Sequence, residues 1–164
     1  FMVPLGIGMA ATVRVGHAVG RRDGDAVRRA GYVAIWLGIA LAVALTAAVL
    51  LGRFAIAKLF FGDATTHGAI ELTAALLLVG ATYFITDAIQ TIVAGALRGL
   101  NDTRVPLLLA AISYWGIGFT MACVLGFKTG LGAVGVWIGL SCGTAVYAAA
   151  LILRFRPLAT GSGA

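Results

Sequence analysis

The sequence predicts an all-α integral membrane protein with five transmembrane helices. Of its 164 residues, 61% are hydrophobic and only 11% are charged, whereas charged residues make up about a quarter of a soluble domain. The mean hydropathy is +1.03, and a chain of this length has too little interior to hide so much apolar surface from water. Long apolar runs in lipid indicate helices, because a helix satisfies its own backbone hydrogen bonds.

Five apolar segments are about as long as the ~20 residues that a helix needs to cross the hydrocarbon. The predicted helices cover residues 1–19, 30–51, 69–97, 105–127 and 131–153. The third is long enough to tilt or to extend beyond the bilayer. Pro106 suits the first turn of the fourth helix, and Asn101, Asp102 and Thr103 before it are residue types that cap helices.

The basic residues predict the orientation in the membrane. Eight of the 12 lie in the loop around residues 20–29, in the loop 98–104 and in the C-terminal tail, while Arg53, Lys58 and Lys128 lie on the opposite side. Arginine-rich loops face the cytoplasm, so the C-terminus is predicted to be cytoplasmic and Asp63 periplasmic. Residues 158–164 are polar and are predicted to be a disordered tail that follows one membrane unit, residues 1–157.

The +6 charge does not indicate a nucleic-acid partner. The basic residues lie between apolar segments, and they form no single stripe with interleaved aromatic residues as nucleic-acid interfaces do. The lipid bilayer is therefore the predicted partner. Cys123 and Cys142 lie inside apolar segments without the spacing of a metal site, so no cofactor is predicted.

The run Gly135, Gly139 and Gly143 repeats a small residue every four positions on the fifth segment. In lipid, such spacing allows two helices to approach closely. It predicts a packed helical bundle and gives no information about the substrate.

Asp87 lies in the middle of the third apolar segment, where a carboxylate costs about 3 kcal/mol on insertion scales. Residues three and four apart share a helix face, so Tyr83, Asp87, Gln90 and Thr91 form one polar stripe. Intramembrane carboxylates mark ion or proton paths, and these oxygens suit Na⁺ or proton binding. The alternative is a structural hydrogen bond to a neighbouring helix. Tyr114 and Trp115, inside the fourth segment, are predicted to be packing or cavity residues.

Four stretches resemble one family of membrane proteins. They are VPLGIGMAATVRVGHAVGRRD, GALRGLNDTRVPLL, SYWGIGF and GAVGVWIGL, and together they are similar to the C-terminal lobe of multidrug and toxic compound extrusion (MATE) transporters of the bacterial NorM type. The resemblance covers residues up to about 157. It implies most of one six-helix lobe of a twelve-helix transporter, with the N-terminal part of the same transporter missing.

The resemblance also implies a function. Members export cationic amphiphilic drugs or toxins across the bacterial inner membrane by alternating access, in exchange for Na⁺ or H⁺. It implies that Asp87 and Tyr83 bind the coupling cation, with the family's other acidic partner on the preceding helix. Gln90, Thr91 and Tyr114 are candidate cavity-lining residues.

Two other functions remain open at this point. One is a flippase of lipid-linked oligosaccharides or a polysaccharide exporter of the same superfamily, in which basic residues meet pyrophosphate groups; here Arg14 is the only intramembrane base. The other is a non-transporting membrane scaffold subunit, which does not account for a polar stripe at mid-membrane. An enzyme is not predicted, because no Ser–His, paired-aspartate or HExxH arrangement occurs.

Overall fold

The computed structural model describes residues 1–61 and 67–161, which form five long helices. The first to the fifth helix cover Met2–Gly20, Gly24–Phe61, His67–Gly99, Arg104–Lys128 and Gly132–Gly161. Each of them contains a stretch that is long and apolar enough to cross a membrane, so the predicted all-α fold with five spanning helices is confirmed. Asp63 lies outside the described residues.

Two helices extend beyond their apolar segments. The second begins at Gly24 rather than at residue 30, because the Asp23 carboxylate accepts a hydrogen bond from the Ala26 N–H at 2.9 Å and caps it. The fifth continues to Gly161, so residues 158–161 of the tail predicted to be disordered are helical. Ala159 is buried in the core, which holds this last turn in place. Residues 162–164 lie outside the described part of the chain.

The turns that follow the first and third helices, at the arginine-rich end, have the same backbone conformation and hydrogen bonds. Arg22 and Asn101 have φ values of 53° and 60°, the left-handed region that few residues other than glycine adopt. After the first helix, the Asp23 and Arg22 N–H groups donate to carbonyls five and three residues earlier. Asp102 and Asn101 repeat this pattern after the third helix. Both are Schellman motifs, which satisfy the last carbonyls of the first and third helices.

Asp102 has a role other than the capping that the sequence predicts. The fourth helix is capped by Thr103, whose side chain makes no capping hydrogen bond. The Asp102 carboxylate instead accepts from Arg154 Nε on the fifth helix at 2.9 Å. The turn between the third and fourth helices is thereby tied to the fifth.

The third helix is central in the bundle and packs against the first, second and fifth helices, while the fourth packs mainly on the fifth. The buried core lies in the half nearer the arginine-rich loops. Its largest fully buried side chains come from four helices and are Val15, Val27, Ile92, Val93, Leu97, Leu151 and Phe155. The core therefore packs against the C-terminal part of the third helix, which follows Asp87.

Glycines set the closest helix contacts, as the sequence predicts for the fifth helix. A Cβ atom on Gly135, Gly139 or Gly143 would overlap the backbone of the fourth helix. The same is true of Gly95 and Gly99 against the first helix. At this second contact the Thr12 hydroxyl donates to the Gly95 carbonyl at 2.7 Å. These contacts hold the third helix to the first and the fourth to the fifth.

The fourth helix is not a regular α-helix. It is π-helical over Ile112–Phe119 and again over Val124–Lys128, with one α-helical turn, Thr120–Cys123, between them. Tyr114 points into the bundle and its ring packs on Tyr147, whereas Trp115 is 74% exposed and its ring lies tilted against Phe119 of the same helix. Within the described residues Trp115 packs little against the other helices, and the packing or cavity role predicted for it in the whole protein stays a prediction.

Candidate functional site

Asp87 is half-buried at the middle of the third helix, and its nearest polar partner is on the same helix. The Gln90 side-chain Nε2 donates a hydrogen bond to Asp87 Oδ1 at 2.8 Å. The two residues are three positions apart, the spacing at which helical side chains meet. Within the polar stripe predicted from the sequence, Asp87 and Gln90 are therefore hydrogen-bonded to each other.

The fourth helix completes this arrangement. The Tyr114 hydroxyl donates to Gln90 Oε1 at 2.5 Å, so a chain of two hydrogen bonds runs from Tyr114 through Gln90 to Asp87. The Tyr114 ring in turn packs on Tyr147 of the fifth helix, with ring centroids 5.5 Å apart. Three helices therefore contribute to the surroundings of one carboxylate.

Tyr83 lies one turn before Asp87 but turns towards the fifth helix. Its ring meets Trp137 of the fifth helix edge-on, with centroids 6.1 Å apart and planes at 86°. Within the described residues no hydrogen bond joins Tyr83 to Asp87. The structure therefore places the two predicted cation ligands one turn apart on the third helix, without a hydrogen bond between their side chains in the described part of the chain.

Thr91 faces a different neighbour. A Cβ atom on Gly8 would lie 3.0 Å from the Thr91 carbonyl oxygen, so this turn of the third helix packs against the first helix. The residues of the stripe therefore have different neighbours. Tyr83 meets the fifth helix, Asp87 is linked to the fourth helix through Gln90, and the backbone at Thr91 lies against the first helix.

An apolar cavity of about 240 Å³ opens beside Asp87 between the first, second and third helices. Its other lining residues are Phe1, Val3, Pro4, Ile7, Gly38, Leu41, Ala42, Leu45, Val49 and Phe84. Asp87 is the one charged group among these lining residues, whereas Gln90, Thr91 and Tyr114 are not among them. Their predicted place in a cavity wall of the whole protein stays a prediction.

Sequence reasoning missed this cavity. Most of its lining residues are ordinary apolar residues of the first and second helices, which carry no polar stripe. Gly38 gives the only signal, since a glycine within an apolar helix leaves space for a neighbour; here the neighbour is Ile92. The prediction that Asp87 faces the bundle interior agrees with its place in the cavity wall.

Asp87 has no second acidic group nearby in the described part of the chain. No cluster of three or more His, Cys, Asp or Glu side chains occurs among the described residues. The polar groups close to Asp87 come instead from the amide of Gln90 and the phenol of Tyr114, whose oxygens are hydrogen-bonded to each other. The Asp87 carboxylate itself is the kind of oxygen ligand that suits a hard cation such as Na⁺.

Comparison with known proteins gives consistent results. A family model, MatE, matches residues 1–124. The chain is 66% identical over 160 residues to a probable multidrug resistance protein NorM of Bradyrhizobium diazoefficiens, and 57% identical over 159 residues to one of Rhodopseudomonas palustris. These alignments cover 97% and 96% of this chain but 34% of each relative. The chain thus spans about a third of the length of these relatives.

Two solved structures share the fold. The eukaryotic MATE transporter AtDTX14 superposes with a TM-score of 0.85 over 98% of this chain and 36% of its own, at 22% identity. An inward-facing multidrug resistance MATE family transporter of the MOP superfamily gives 0.86 over 97% of this chain and 36% of its own, also at 22% identity.

These matches cover nearly all five helices, including the polar stripe and the cavity wall. They agree with the resemblance seen in the sequence, and the curated relatives are named as multidrug resistance proteins rather than as enzymes. The family match, the NorM relatives and the shared arrangement of helices lead to one conclusion: the chain belongs to the MatE family.

Proposed function

We propose that the intact protein containing this chain is a cation-coupled antiporter, driven by Na⁺ or H⁺, that exports cationic amphiphilic drugs or toxins. The observation that carries this proposal is the single carboxylate in the wall of an apolar cavity. Apolar walls with a few placed polar groups are typical of small-molecule sites. Here the polar group is an anion, which favours ligands that combine an apolar body with a positive charge.

A single carboxylate also accounts for the exchange of the coupling cation for the drug. A buried negative charge is costly without a partner, so Asp87 favours states in which either the coupling cation or the positive group of a drug neutralises it. Because a single charge balances a single positive charge, the two ligands compete. Competition of this kind links entry of the cation to release of the drug when each favours a different arrangement of the two lobes.

The size of the cavity limits what this chain does alone. At about 240 Å³ the cavity is smaller than the roughly 300–1,000 Å³ of drug-sized pockets. It therefore suits a cation and part of an amphiphile, and the remaining surface belongs to the rest of the transporter. Among the described residues none that lines the cavity is basic, so this lining does not favour a pyrophosphate-linked substrate.

The test is efflux by the full-length protein in vesicles. A fluorescent amphiphilic cation is loaded, and a Na⁺ or H⁺ gradient is imposed. We expect efflux to follow one of the two gradients and to stop when an ionophore removes it. Efflux of the same rate without any gradient would contradict the proposal, and a lipid-linked oligosaccharide moved instead of the dye would favour a flippase.

We further propose that the protein lies in the bacterial inner membrane with the arginine-rich turns and the C-terminus in the cytoplasm, since arginine-rich loops are cytoplasmic. In a cysteine-free variant of the full-length protein, a membrane-impermeant thiol reagent added to intact cells should label Thr129→Cys and Asp63→Cys. It should label Arg21→Cys, in an exposed turn, only after the cells are opened. Labelling of Arg21→Cys alone in intact cells would invert the topology.

A further inference from the structure

We infer that Gln90 and Tyr114 are positioning residues, which fix the orientation of the Asp87 carboxylate so that Oδ2 is left for the transported cation. This inference rests on the proposed function of Asp87 as the coupling site. It assigns to Gln90 and Tyr114 a role in holding that carboxylate rather than in contacting the drug.

The first step concerns the direction of the two hydrogen bonds. An ionised carboxylate only accepts, so the Gln90 group that faces Asp87 Oδ1 at 2.8 Å is the amide nitrogen. The amide oxygen then points the other way, where the Tyr114 hydroxyl donates to it at 2.5 Å. Turning the amide over would bring two oxygens together at Asp87. The carboxylate therefore selects one orientation of Gln90, and the phenol, which can donate or accept, donates to the oxygen that remains.

The second step concerns the carboxylate itself. Oδ1 is engaged by Gln90, and among the described residues Oδ2 accepts no hydrogen bond. The side chain also lines the apolar cavity. Oδ1 of Asp87 is therefore held by Gln90, and Oδ2 is left for a ligand.

The third step concerns the stiffness of the arrangement. Holding a side chain in one conformation has an entropic cost that a binding site must otherwise meet when the ligand arrives. Tyr114 is itself held by its ring contact with Tyr147, and the fourth helix by the glycine contacts of the fifth. The carboxylate is therefore oriented in advance by residues of three helices, which favours cation binding.

The fourth step separates positioning from direct binding. Gln90 and Tyr114 do not line the cavity beside Asp87. The Gln90 oxygen is taken by Tyr114, and one Gln90 donor by Asp87. Loss of the Tyr114 hydroxyl should therefore act on the cation through Gln90, and it should leave the maximal rate of drug transport nearly unchanged.

The test uses the full-length protein with Tyr114→Phe, which keeps the ring that packs on Tyr147, and with Gln90→Met. Efflux is measured against the concentration of the coupling cation. We expect the half-saturating cation concentration to rise about three- to tenfold in each variant, the scale of one hydrogen bond, with the rate at saturating cation retained. The double variant should be no worse than Gln90→Met, because Tyr114 acts through Gln90.

Tyr32→Phe is the matched control. It removes a phenol hydroxyl from the second helix, where the ring contacts Phe155, and it should leave the cation dependence unchanged. A second measurement is independent of transport: a bound cation should protect Asp87 from modification by a carbodiimide. Tyr114→Phe and Gln90→Met should each need a higher cation concentration for the same protection.

Unchanged half-saturation in Tyr114→Phe and Gln90→Met would overturn the inference, as would a lower maximal rate with unchanged half-saturation. These outcomes differ from a failure of the proposed function itself. In that case the wild-type protein would show no dependence on either cation, whatever residues occupy positions 90 and 114.

Discussion

Substitution of Asp87 by Asn in the full-length protein is expected to abolish cation-driven efflux while the protein still folds and reaches the membrane. The amide keeps the size of the side chain, and its oxygen can still accept from Gln90 Nε2. The substitution removes the one charged side chain among the described residues that line the cavity. Loss of one partner of a buried ion pair costs about 3–5 kcal/mol, which corresponds to at least about a hundredfold in cation affinity.

The measurement is gradient-driven efflux, normalised to the amount of folded protein. Asp25→Asn, which removes a carboxylate from the exposed start of the second helix, is the control and should transport normally. Tyr83→Phe should do less harm than Asp87→Asn, because it removes one neutral oxygen and keeps both the charge of Asp87 and the ring that meets Trp137 of the fifth helix. Gradient-dependent efflux at the wild-type rate by Asp87→Asn would show that Asp87 is a structural hydrogen-bonding residue.

Substitution of Gly139 by Leu is expected to have the largest effect on folding. A Cβ atom at this position would already overlap backbone atoms of Met121 and Ala122 on the fourth helix. Backbone atoms cannot move aside as a flexible side chain can, so the two helices would have to separate. Overpacking of a well-packed contact costs about 1–3 kcal/mol or more, and in lipid no hydrophobic effect between helices compensates for the lost contact.

Folded protein is measured by its thermal stability in detergent and by its amount in the membrane. Gly139→Ala should show a smaller loss in the same direction. Gly116→Leu is the matched control: it is the same substitution on the fourth helix, where an added Cβ meets nothing nearer than Ile112 of the same helix. Equal stability of Gly139→Leu and Gly116→Leu would mean that the glycine contact does not hold the bundle together.

The parts of the fold that follow from lipid as a solvent were predictable from the sequence. Apolar length fixes the number of spanning helices, and small residues at four-residue spacing indicate where two backbones meet. For Gly135, Gly139 and Gly143 the prediction of a close contact is confirmed. The helix ends were less predictable, because capping by Asp23 and burial of Ala159 continue helices past the hydrocarbon.

The candidate site was predictable only within one helix. Helical spacing places Asp87 and Gln90 together, and this pairing is present. Whether Tyr114 meets Gln90 depends on how two helices are rotated against each other, which the periodicity of either helix alone leaves open. For the same reason the stripe could not show that Tyr83 turns to the fifth helix and that Thr91 packs against the first.

The π-helical stretch Ile112–Phe119 has a consequence for how this region tolerates changes in length. Each π-type hydrogen bond encloses one residue more than an α-type bond, so the stretch accommodates extra chain between fixed ends. Removing one residue within it can convert a π turn to an α turn without shifting the flanking helix along its axis. The fourth helix is therefore a place where related chains can gain or lose a single residue inside the membrane, and where such a change rotates Tyr114 towards or away from Gln90.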